Sequence, residues 1–118
     1  MTTQTHEILA WLGDDHHLTP AQVSELTATA TAIEARYPDD QDRREVALTV
    51  AYRLMVGEAG VVEELAAALL AARLAEARAL AGLRQAAVSL VPAQETQAGF
   101  ARRAGVDRMA VRGWLGQR

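Results

Sequence analysis

Cysteine and lysine are both absent from this chain, and its 118 residues include one Phe and three Pro. Without Cys there can be no disulfide, no thiolate metal site and no Cys nucleophile. The same absence fits a reducing compartment, so a cytoplasmic location is expected. Aromatics make up only 4% of the residues, which leaves the core to Leu, Val, Ile and the two Trp. Half the residues are hydrophobic, but many are Ala, which buries little area per side chain. No segment combines a charged start, an apolar middle and a small-residue cleavage site. The most apolar stretch, residues 61–91, carries Glu63, Glu64, Arg73, Glu76, Arg78 and Arg84, too much charge for a membrane span. No period-two alternation marks a strand.

The net charge of −3 is unevenly distributed. From Pro92 onward five Arg face two acids, a local balance of +3, whereas residues 1–91 hold seven Arg against thirteen acids, or −6. A basic end on an acidic body is the charge pattern of a terminal nucleic-acid-binding module. All the basic residues apart from His are Arg, a bias that a GC-rich genome also produces, so their number alone carries no functional weight.

Helical periodicity runs through the chain. A first helix is expected from Thr5 to Leu12, with Ile8, Trp11 and Leu12 on its apolar face and Gly13-Asp14-Asp15 ending it. Thr19-Pro20-Ala21-Gln22 is a start signal: an N-cap, Pro at the first helical position, and Gln three residues after the cap. That second helix extends to Arg36, its stripe formed by Val23, Leu26, Ala30 and Ile33, and closes at Tyr37-Pro38. Asp39 or Asp40 caps a third helix. Val46, Val50 and Leu54 on one side and Leu48, Tyr52 and Met55 on another give it a wide apolar surface, which predicts a central place in the bundle. Gly57 and Gly60 bracket a break. A fourth helix then runs from Val61 to Leu90 and stops before Pro92, with Gly82 as its weak point, open to a bend or a break.

Two stripes mark this fourth helix. Val62, Leu65, Leu69 and Ala72 form one set, repeated on the same face by Leu80, Leu83, Ala87 and Leu90. Leu70, Leu74, Ala77, Ala81 and Val88 lie beside them. The eighteen-residue offset between the two sets breaks a strict heptad and argues against a long coiled coil. So wide a surface needs more than one partner. The first half is expected to pack on helices two and three or on a second subunit, and the second half to support whatever follows Pro92.

Chemistry-bearing clusters are few. Asp14-Asp15-His16-His17 are adjacent in the chain rather than spaced to converge on one ion, and read as a solvated loop. Asp39, Asp40, Asp42, Glu45, Glu63 and Glu64 sit near helix starts, where negative charge is favoured anyway. There is no Gly-rich phosphate loop, Ser-centred elbow or zinc spacing. Neither an enzymatic activity nor a metal or other cofactor is expected.

The remaining segment is the most specific. Phe100, Ala101, Ala104, Val106, Val111 and Trp114 are apolar or small, while Arg102, Arg103, Arg108 and Arg112 occupy the gaps. This spacing suits two short helices crossing at a turn that contains Gly105. Thr96-Gln97, Phe100-Ala101 and Ala104-Gly105-Val106, followed by Val111 and Trp114, resemble the helix-turn-helix of bacterial and phage repressors of the Cro/C1 type. The likeness covers about twenty residues. It departs from the pattern at Asp107, where Ser or Thr is usual, and at Gly113, where a polar or basic residue is common. Cro/C1-type domains continue with further helices, so the packing that completes this module is expected from upstream.

The resemblance implies a DNA-binding protein of the all-α class, with a helical core and dimerisation region at 1–79 and a DNA-binding module at 80–118. Arg108, Met109 and Arg112 would face base edges, and Thr96, Gln97, Arg102, Arg103 and Arg118 would contact phosphate. The expected partners are double-stranded DNA and a second copy of the chain, in transcriptional regulation, with no membrane involved. A helical protein-interaction module without DNA binding is the competing reading.

Overall fold

A computed structural model describes residues 3–117. Among these residues the chain is all-α: α1 (Thr5–Leu12), α2 (Pro20–Arg36), α3 (Gln41–Met55), α4 (Val61–Leu90), α5 (Gln97–Ala104) and α6 (Arg108–Trp114). No helix of the described residues is long and apolar enough to cross a membrane. The chain divides into two compact units, Met1–Glu64 and Leu65–Arg118.

The start signals of the first unit work as the sequence implies. The Thr19 hydroxyl accepts from the Gln22 backbone N–H at 3.1 Å while the Thr19 backbone N–H donates to the Gln22 side chain at 2.9 Å, a reciprocal capping box. Asp40 caps α3 by accepting from the Arg43 N–H at 2.9 Å. Between α1 and α2, His16 Nδ1 accepts from the Leu18 N–H at 3.2 Å, so this member of the Asp-His run shapes a turn. Ile8, Val23, Leu26 and Ala30 form the buried core, with Trp11, Leu48, Tyr52 and Met55 packed around it. Trp11 stands edge-on to Tyr52 at 6.0 Å between ring centroids and donates from Nε1 to Glu45 at 2.9 Å.

The expected central role of α3 does not hold, since none of its residues is buried. Leu48, Tyr52 and Met55 face the core, whereas Val46 and Leu54 are more than half exposed. In a unit built from three helices, only one side of α3 has a helix to meet. At its C-terminal end Arg53 pairs with both Glu58 and Glu64, tying the helix to the turn through Gly57 and Gly60 and to the first turn of α4. The hydrogen bond from Arg53 holds the Glu64 carboxyl below the usual Glu range. A depressed carboxylate pKa stabilises the fold above the unfolded value, about 4.3, and that contribution is lost as pH falls through the folded value. Glu64→Gln is therefore expected to lower the melting temperature slightly at neutral pH. The gap from wild type should close on acidification; a gap unchanged at low pH would mean the pairing contributes nothing.

In the second unit, Ala87 and Val91 at the end of α4 pack with Phe100 and Ala101 of α5 and Val111 of α6. Leu83, Leu90, Val106 and Trp114 surround them. This is the upstream support that the sequence calls for. The helix passes through Gly82 without a break, because Ala and Leu on both sides favour continuation over a single Gly penalty of about 1 kcal/mol. The greater part of α4 is exposed: every residue from Val62 to Gly82 lies open to solvent.

Candidate nucleic-acid interface

The local sequence builds the α5–α6 pair from its caps inward. The Thr96 hydroxyl accepts from the Gly99 N–H at 3.0 Å and starts α5. Gly105 ends that helix in the left-handed region, with φ 72° and ψ 31°. Asp107 then accepts from the Met109 N–H at 2.7 Å and starts α6. Phe100, Ala101 and Val111 are each 5% exposed or less, and small Ala101 lets the two helices meet closely. A Cβ added at Gly105 would meet nothing within 4 Å, so only the backbone conformation opposes a side chain there. Gly105→Ala is expected to cost about 1–2 kcal/mol, read as a lower melting temperature of this unit. Gly105→Asn should cost less, because Asn tolerates the left-handed region.

Burying Val111 and half-burying Trp114 orients the rest of α6. At 3.6 residues per turn, Arg108, Met109 and Arg112 fall within about 100° of one another, with Met109 nearly opposite Val111 and Arg108 flanking Val111 at about 60°. Arg108 and Met109 are exposed, Met109 at 64%, and Arg112 is half-buried. Two cations and a flexible apolar side chain thus share one open face. Space is open at Gly113 too, so this face is smooth at that point and has room for a close neighbour.

The residues of α5 are more constrained than their sequence positions imply. Arg102 and Arg103 are exposed in its last turn, where positive charge also favours the helix C-terminus. Arg103, however, pairs with Glu95 and lies over the Phe100 ring at 5.9 Å from the centroid. The Gln97 side-chain amide donates to Gln117, joining the start of α5 to the segment after α6. Thr96 is exposed, and its oxygen is used for the cap. Arg118 lies outside the described residues. Glu95 precedes α5, so helical spacing could not reveal its pairing with Arg103.

The structure therefore brings Arg102, Arg103, Arg108, Met109 and Arg112 onto one small two-helix unit. Of the acids in residues 92–117, Glu95 is paired with Arg103 and Asp107 is turned to its cap. Four Arg thus share this unit with two acids. Elsewhere, no group of three or more His, Asp or Glu able to hold a metal ion is found among the described residues. No family model, curated protein or solved structure matches this chain.

Proposed function

We propose that this protein is a sequence-specific, double-stranded-DNA-binding regulator of transcription that acts as a homodimer through its α5–α6 pair. The observation that carries this reading is the shared open face of Arg108, Met109 and Arg112 on a helix fixed from behind by Val111. Arg donates two parallel hydrogen bonds to guanine O6 and N7, and Met meets a thymine methyl, so the face has the chemistry for reading base edges in a major groove. Arg102 carries the phosphate contact. Arg103 takes a smaller share, since any phosphate must compete with Glu95 for it. The Thr96 and Gln97 end of α5 offers backbone N–H groups to a phosphate.

One such unit reads only a few base pairs. Two copies would read a near-palindromic site, with half-sites about 34 Å apart or a multiple of it. Selection of bound duplexes from a random pool at moderate salt tests the reading, with a palindromic consensus as the expected result. Affinity for the selected duplex should fall steeply with added salt as phosphate contacts release counterions. A pool that returns no enriched sequence would overturn the proposal and favour a helical protein-interaction module.

A further inference from the structure

The exposed length of α4 is unusually apolar for a helix surrounded by water. Leu65, Leu69, Leu70, Leu74 and Leu80 are all between 38% and 59% exposed. Single exposed apolar residues are ordinary, but a continuous leucine surface marks an interaction site. Three charged residues, Arg73, Glu76 and Arg84, stand within this stripe. Among the described residues none of them belongs to an ion pair.

We infer that the α4 segment from Leu65 to Arg84 pairs with the same segment of a second copy, antiparallel, about a two-fold axis level with Leu74 and Ala75. The inference deepens the homodimer reading above and rests on it, but does not depend on DNA binding. Charge selects the arrangement. A parallel pair sets Arg73 level with Arg73 and Glu76 level with Glu76, like against like. The antiparallel pair in this register sets each Arg73 level with Glu76 of the second copy, twice over, as an isologous interface requires. The same register brings Leu69 level with Leu80 of the second copy. It also brings Leu70 level with the open groove that Ala77 and Ala81 line beside Trp114. Opposed helix dipoles favour the antiparallel direction as well.

The area suits a weak, reversible contact. Twenty residues of helix span about 30 Å, and a strip about a helix diameter wide on each copy gives on the order of 700 Å² in total. That lies below the range of specific stable interfaces, so the dimer should dissociate on dilution. The broken heptad of α4 fits a short, nearly straight contact better than a long supercoil.

The test uses the full chain and sedimentation over a wide concentration range. Wild type is expected to dimerise. Arg73→Glu alone and Glu76→Arg alone should each weaken dimerisation roughly tenfold, because each change acts twice in a two-fold interface. An equimolar mixture of the two variants should form a heterodimer near wild-type strength, because every charge at these positions then meets its opposite. Leu69→Glu should be monomeric with unchanged helicity by circular dichroism. A wild type that stays monomeric throughout overturns both this interface and the homodimer reading. A wild-type dimer that tolerates Leu69→Glu and both single charge changes leaves the homodimer reading standing and overturns this interface. Single variants that weaken dimerisation without recovery on mixing overturn the antiparallel register.

Discussion

Phe100→Ala is expected to unfold the α5–α6 pair while leaving the N-terminal unit intact. Phe100 is 3% exposed and is the largest side chain among the five buried residues of its core, two of which are Ala. Removing a buried Phe costs about 3–5 kcal/mol, through lost transfer energy and an unfilled cavity. Stability of a whole small domain is of similar size, and this core has little else to lose. Arg103 would also lose the aromatic face under its guanidinium. The two cores have no residue in common, so the loss should stay local. Hydrogen exchange resolved by residue checks this: protection across Gln97–Trp114 should vanish while protection across Pro20–Arg36 persists. Loss of both together would show one cooperative body in place of two units.

Replacing Arg108 and Arg112 together by Ala should remove specific DNA binding without unfolding the helix that carries them. A bidentate contact to guanine is worth about 1–3 kcal/mol of discrimination, so two together amount to about 30-fold to 20,000-fold in affinity for the selected site. Arg108 is exposed and Arg112 half-buried, so Arg108→Ala alone gives the measurement with least effect on packing. Arg102→Ala offers the contrast. It should weaken all duplexes alike and reduce the salt slope by about one, as a phosphate contact does. Titrations of selected and scrambled duplexes at several salt concentrations separate the two behaviours. Specific binding that survives the double substitution would remove α6 from the recognition role.

The division between what is legible in the chain and what is not follows the range of the forces involved. Helix limits are set by residues within one turn of each other. Thr19 with Gln22, Asp40 with Arg43, Thr96 with Gly99, and Gly105 with its left-handed backbone can all be read locally. The stripe of α2 is equally readable, because 3.6-residue periodicity is a local property. That α6 presents Arg108, Met109 and Arg112 together follows from the same periodicity once Val111 is assigned to the core.

Packing between helices selects which of several apolar faces is used. By pattern alone α3 has two apolar sides and α4 two stripes, and nothing in their spacing says how many neighbours each will have. The fold gives α3 one covered side, and it spends only the last third of α4, from Leu83 to Leu90, on α5 and α6. The pairings of Arg103 with Glu95 and of Gln97 with Gln117 belong to the same class, since each links a helix to a segment outside it. Burial depends on what arrives from elsewhere in the chain. The order of residues alone is enough to define the helices α1 to α6, most of their caps and a basic terminal pair. Which leucines become core and which are left facing water is settled only when the helices meet, because an apolar side chain specifies that it should be covered but not by what.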